Sequence, residues 1–330
     1  MHGKNRNRRN RMQIIGDLFN ILLFVTLVGS MFTMLYLAMG RLVRFALPLW
    51  FGICTMAAYL LPLPAPGLYL IPPEAHSWIP QYDIACILWF GGILVFAGYD
   101  MIKAVLAHRA VHSYPICDDE RINAACRRCA ETVCLKKVPC IRFGTLAEPA
   151  CVAGAVHPVI ILNETMIKQL TDEALTIVLC HELTHIRRGH VIWGRIYDFV
   201  SVLNWFNPLV WIAGKEFAVN CEVDCDRAAL ACLKNEVSNT DYACTMLRLL
   251  ELSAAQTSKR SCGMSALGFI LAKKRIELIM RKPSKALKCL VSCALALLLA
   301  VVILFSMQMS RGHFYPYPSR QALPEYRSSR

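Results

Sequence analysis

Charge is scarce in this 330-residue chain. Only 18% of residues are Asp, Glu, Lys or Arg, against about 25% in an average soluble domain. Acids are the scarcer sign, 23 against 36 Lys and Arg, and the formal net charge is +13. Internal repeats and low-complexity tracts are also missing. These shortages exclude a disordered chain, a collagen and an ordinary soluble enzyme. What fills the space is apolar: 56% of the residues are hydrophobic. Length alone suggests roughly two domains, and the apolar excess places part of the chain in lipid.

The 16 cysteines do not read as a disulfide scaffold, which is usually short and secreted. Cys54, Cys86, Cys289 and Cys293 sit inside apolar runs, where Cys behaves as a small hydrophobe. The others lie in a Lys/Arg-rich middle section and read as reduced, cytosolic thiols. Cys126 and Cys129 have the Cys-x-x-Cys spacing of metal and redox sites. Their only companions, Cys134 and Cys140, form a loose pair, and Asp118–Val133 reads as an amphipathic helix. Packing is the expected role.

Four apolar segments approach the length of about 20 residues that a spanning helix needs: roughly Ile14–Met39, Phe45–Leu63, Ile84–Leu106 and Ala286–Met309. The link after the first carries Arg41 and Arg44. The stretch Pro64–Asp83 has no Lys or Arg, and the section after the third segment is rich in both. The positive-inside rule then puts the middle section in the cytoplasm and the Pro-rich link outside. Residues 1–11, with Lys4, Arg6, Arg8, Arg9 and Arg11, conflict with an external N-terminus. A true start at Met12 would remove the conflict.

The middle section has globular patterning. Val159–Leu162 reads as a strand, one expected to offer an edge to an extended peptide. Thr171 reads as an N-cap, with Asp172 and Glu173 suited to the helix dipole. That helix should run to about Arg188 and stop near Gly189. Val191–Gly214 reads as one further apolar helix, buried or lying in the interface. Lys273-Lys274-Arg275 to Lys285 and Lys288 abuts the last segment and reads as a positive anchor on anionic lipid; a self-cleavage segment is the alternative.

The chemistry is carried by His181-Glu182-Leu183-Thr184-His185. At about 100° per residue, His181 and His185 share a helix face one turn apart, so two imidazoles can hold one zinc ion. Glu182 is offset to reach water at the metal as general base. A chance match on a charged helix face is the bland alternative, but the approach Thr176-Ile177-Val178-Leu179-Cys180 is apolar and buries the helix. A peptidase zinc needs a third protein ligand and an open position. His190 would lie far round a continuous helix from the metal face. Glu216 and Glu222 are the other candidates. Glu222 is favoured because Glu222 and Asp226 share a face, so Glu222 can ligate while Asp226 orients a ligand imidazole.

The run His-Glu-Leu-Thr-His-Ile-Arg-Arg-Gly-His, then Trp205-Phe206-Asn207-Pro208-Leu209-Val210-Trp211, then Glu222-x-x-Cys225-Asp226, resembles the BlaR/MecR-type integral membrane zinc metallopeptidases. Pro149–Leu162 is similar to that family's strand region before the zinc helix. The resemblance implies an α-helical membrane protein with an inserted α+β zincin-type (gluzincin) metallopeptidase domain. It implies one zinc ion on His181, His185 and Glu222, with Glu182 as base. The implied layout is a basic extension 1–11, three spans within 12–106, a cytosolic peptidase 107–285, a fourth span 286–309 and an external tail 310–330. Members of that family that sense β-lactams carry a large penicillin-binding domain after the last span. Here Ser310–Arg330 follows it and no Ser-x-x-Lys occurs, so a short form without covalent β-lactam sensing is expected.

The leading expectation is therefore a multi-pass cell-membrane zinc endopeptidase. It would cut a cytosolic repressor or itself, with the bilayer and that protein substrate as partners. A second copy of the chain is a partner that the sequence leaves open. A general membrane quality-control protease and a non-catalytic transducer are the alternatives. An intact Glu182 argues against the transducer, since structural sites fill the fourth position with protein. Direct nucleic-acid binding is not expected, because the positive charge is juxtamembrane and no DNA-binding motif is present.

Overall fold

A computed structural model describes residues 2–42, 47–60, 81–233, 237–257 and 273–278, with short helical stretches between 289 and 300. Side chains of residues 2–20, 81–83 and 254–257 are not among those described. The Pro-rich link, most of the fourth apolar segment and the tail therefore lie outside the described residues. The chain divides into two compact units.

The first unit holds residues 1–32, 57–92 and 286–330. It contains most of α1 (His2–Leu42), the end of α2 (Leu49–Leu60) and the start of α3 (Gln81–Ser113). Val25, Val28 and Phe32 of α1 and Tyr59 of α2 are buried in it. Among the described residues, two helices are long and apolar enough to cross a membrane, over Ile21–Leu42 and Ile84–Ser113. The 12 residues of α2 reach about 18 Å, so its described part is shorter than a span of about 30 Å.

The second unit holds residues 33–56 and 93–285, and it carries the candidate chemistry. Its sheet has β1 (Cys140–Phe143), β2 (Ala150–Ala153) and β3 (Val159–Leu162) in the order β1-β3-β2. β3 pairs in parallel with β1 and antiparallel with β2. The strand expected at Val159–Leu162 is present, but it is the central strand, and the expected free edge is not there. The run is apolar on both faces, so both its faces and both its edges are covered. β2 is an edge strand instead. Gly154, at φ 87°, turns the chain out of β2; a Cβ there would stand 2.5 Å from the carbonyl oxygen of His157.

Helix α4 (Glu120–Thr132) matches the amphipathic reading, capped by Asp119, whose side chain accepts from the Arg121 amide. Cys126 and Cys129 lie on its buried face with Ile122, Ala125 and Ala130. Burial pushes the Cys126 thiol up to about 11, so it stays a neutral packing group. After the short α5 (Glu164–Ile167), helix α6 (Asp172–Arg188) packs between α4 and α8 (Pro208–Cys232). Leu175, Leu179 and Leu183 of α6 are almost fully buried, each stabilising by about 2 kcal/mol. The four-residue spacing of this apolar row sets which face α6 turns to the core.

The single helix expected over Val191–Gly214 is two: α7 (His190–Leu203) and the start of α8. Asn207 caps α8 by accepting from the Leu209 amide, and Pro208 takes the first turn, where its missing N–H is no loss. α9 (Asn239–Thr257) follows, and residues 273–278 are also helical.

Candidate metal centre

Local sequence signals place α6. Thr171 accepts from the Ala174 amide at its start, and Gly189 ends it in the left-handed region at φ 66°. Between these caps His181 and His185 fall one turn apart, and their Nε2 atoms converge to 3.1 Å. From α8, Glu222 brings Oε2 to 3.4 Å from Nε2 of His181 and Oε1 to 3.3 Å from Nε2 of His185. Donors around a tetrahedral zinc with bonds of about 2.1 Å stand about 3.4 Å apart, so the triangle has the size of a metal site. Two imidazole lone pairs facing each other beside a carboxylate call for a cation between them. The residues present fit a metal ion.

The outer contacts fix these donors. Asp226, with no exposed surface, brings Oδ1 to 3.0 Å from Nδ1 of His181. Tyr242 donates its hydroxyl to Oδ1 of Asp226 at 2.9 Å. Arg275 donates through Nε to Oδ2 at 3.0 Å and through Nη2 to Oδ1 at 2.8 Å. Its Nη1 also lies 3.1 Å from Oε2 of Glu222. Glu222 and Asp226 thus share one guanidinium, and a bidentate fork is a strong way to aim a carboxylate.

The electrostatics follow from this arrangement. Burial alone would raise Asp226, but Arg275 and His181 outweigh it and hold the carboxyl at about 2. Burial would likewise raise Glu222, but bonds to His181 and His185 and the charge of Arg275 hold it well below the ordinary range. Burial disfavours a charged His181, yet Asp226 and Glu222 lift its pKa to about 10. Two ionised acids around two imidazoles make the spot strongly cation-seeking. Glu182, half-buried on the next position of α6, is pushed above its ordinary value by burial, with the two histidines pulling it back. β2 packs against α6, and burial, with the charge of Glu182 added, pushes the Cys151 thiol up to about 12.

The structure brings together His181, His185, Glu222 and Asp226, with Glu182 beside them. It separates Glu216, the other acid weighed as a ligand, which pairs with Lys274 at 2.8 Å. The sequence offers Arg275 as part of a lipid anchor or a self-cleavage segment; nothing in a Lys-Lys-Arg run signals that its third residue folds back onto two acids of α8. Tyr242 carried no signal either. His190 does not lie far round α6, because Gly189 breaks the helix. Its Nδ1 stands 3.3 Å from Nδ1 of His185, on the side of that ring away from Glu222. Each candidate ligand imidazole therefore has a polar neighbour at its Nδ1: Asp226 Oδ1 for His181 and His190 Nδ1 for His185.

Comparison with known proteins identifies relatives of this chain. The methicillin resistance mecR1 protein of Staphylococcus aureus is 25% identical over 232 residues, 68% of this chain and 39% of that protein. The same figures hold for the protein of that name from Staphylococcus epidermidis. The regulatory protein BlaR1 of Bacillus licheniformis is 22% identical over 189 residues, 57% of this chain and 31% of that protein. The chain thus spans less than half the length of these relatives. The BlaR1 peptidase M56 family matches residues 71–279, a stretch that contains α6, α8 and every residue of the metal cluster, and the chain belongs to that family of membrane metallopeptidases.

Proposed function

We propose that this protein is a membrane-embedded zinc endopeptidase that acts in transmembrane signalling by cutting a cytosolic transcriptional repressor or itself. His181, His185 and Glu222 hold one zinc ion, Glu182 is the general base, and Asp226 orients His181. The observation that carries this reading is the convergence of two imidazole nitrogens and two carboxylate oxygens within 3.4 Å on helices held by buried contacts.

A zinc ion on these ligands supplies a water of lowered pKa and polarises the substrate carbonyl. The rest is done by side chains. Glu182 accepts the proton of the attacking water and returns it to the leaving amine. His185 is kept in register by His190, and Glu222 by Arg275. The edge strand β2 takes the substrate backbone as an added strand, in place of the β3 edge expected from sequence.

The layout follows the same reading. Three spans precede the peptidase section 107–285, which faces the cytoplasm, and a fourth span at 286–309 leads to the tail 310–330. A regulatory substrate is supported by the names of the relatives, a methicillin resistance protein and a regulatory protein.

Comparing cellular proteomes of wild type and Glu182→Gln tests the reading. One cytosolic regulator that persists uncut in the variant supports it. Many stabilised membrane proteins would replace signalling with quality control, and identical proteomes would overturn the catalytic reading.

A further inference from the structure

Three groups stand behind the first cluster and are not among its ligand atoms: Sγ of Cys225, Nδ1 of His190 and Nδ1 of His185. Sγ of Cys225 is 3.2 Å from Nδ1 of His190, which is 3.3 Å from Nδ1 of His185. All three donor atoms lie within 4.8 Å of one another. We propose that Cys225, His190 and His185 form a second site, specific for a soft, thiophilic metal ion, back to back with the first and sharing the His185 ring.

The donor chemistry supports a soft ion. A set of one sulfur and two imidazole nitrogens favours thiophilic ions over Mg²⁺ or Ca²⁺. The donor separations suit one ion with metal–nitrogen bonds of about 2.1 Å and a metal–sulfur bond of about 2.3 Å. The site is also built. Cys225 is fully buried and His190 nearly so. Nε2 of His190 has no partner within hydrogen-bond geometry, and the nearest acid, Oδ2 of Asp224, is 3.7 Å away. An Nε2–H facing Asp224 leaves the Nδ1 lone pair aimed between Cys225 and His185.

His185 joins the two sites. Its Nε2 faces His181 and Glu222, and its Nδ1 faces His190. Without a second ion, Nδ1 of His190 lies against that face of the ring. An ion in the second site binds His185 at Nδ1, and any ring proton there and the thiol proton leave to solvent. The second site is therefore a point at which a soft metal acts on the first.

The test uses the full chain in detergent or nanodiscs, stripped of metal and titrated with Cd²⁺, by calorimetry and by sulfur-to-metal charge-transfer absorption. Wild type should bind one ion more than Cys225→Ser, and the difference absorption should disappear in that variant. His190→Asn should lose the same ion while keeping Cys225, so misfolding of one variant does not decide the outcome. Glu222→Gln should weaken the first site and keep the thiolate absorption, which separates failure of the second site from failure of the first. Equal stoichiometry and unchanged absorption in both Cys225→Ser and His190→Asn would assign the absorption to other cysteines and overturn the site.

Discussion

Nδ1 of His181 lies 3.0 Å from Oδ1 of Asp226, a carboxylate that is completely enclosed and also gripped by Arg275 and Tyr242. An acid in that position fixes the ring so that Nε2, and not Nδ1, faces the metal cluster. Asp226→Asn should therefore lower metal affinity about 10- to 100-fold, measured by competition with a chelator. Unaltered affinity would remove Asp226 from any orienting role.

Glu182→Gln should keep metal and fold but lose cleavage by about 10²- to 10⁴-fold, whereas His181→Ala should lose the metal itself. Elemental analysis alongside a peptide cleavage assay separates the two. The base works only when ionised, and burial pushes its pKa above the ordinary 4.5. The acid limb of kcat/KM in wild type should accordingly stand above 4.5, and activity should fall as pH drops through it. A limb at or below 4.5 would count against Glu182 as the titrating base.

Arg275 is the guanidinium that Glu222 and Asp226 share. Replacing it with Met leaves His181 as the cationic partner of the enclosed Asp226, a loss of up to about 3–5 kcal/mol. Chemical denaturation of the metal-free protein should read that loss. A metal ion bound in the first cluster should recover part of it.

Gly189 takes φ 66° where α6 hands over to α7, and an L side chain there costs about 1–2 kcal/mol. Gly189→Ala should lower the thermal midpoint. It should also weaken metal binding, because the same turn sets His190 against His185. A stability loss with unchanged metal affinity would show that the turn serves the fold alone.

Alkaline pH should unfold this protein early. The thiol of Cys126 is raised by burial from 9.0 to about 11, and those of Cys151 and Cys221 to about 12. Below pH 9 these thiols are protonated in both states and contribute nothing to pH dependence. Above pH 9 the unfolded chain loses protons that the folded one keeps, so stability falls as pH rises towards 11. Cys126→Ala should flatten this slope in a series of thermal melts.

The candidate site was legible where it rests on local rules. Thr171, Gly189 and the spacing of His181 and His185 state a capped helix with two imidazoles on one face. Glu222 and Asp226, four residues apart, state a second helix with two acids on one face. His190 was misjudged as lying round the helix because a break at Gly189 redirects the chain by an angle that periodicity does not contain. The run Val191–Gly214 was read whole because its apolar content hid the stop that Asn207 and Pro208 impose. β3 was taken for an edge, since pairing on both sides is a property of the sheet and not of the strand.

The sequence by itself determined the pattern of two histidines and two acids, the helices that carry it and the lipid-compatible character of the chain. Each of these depends on residue type and on periodicity within one element. Only the tertiary structure decided that Arg275 closes over Glu222 and Asp226, that Glu216 turns away to Lys274, and that Cys225 meets His190. Those contacts join residues 35 to 58 positions apart, and at that distance only the packing of separate helices determines which side chains meet.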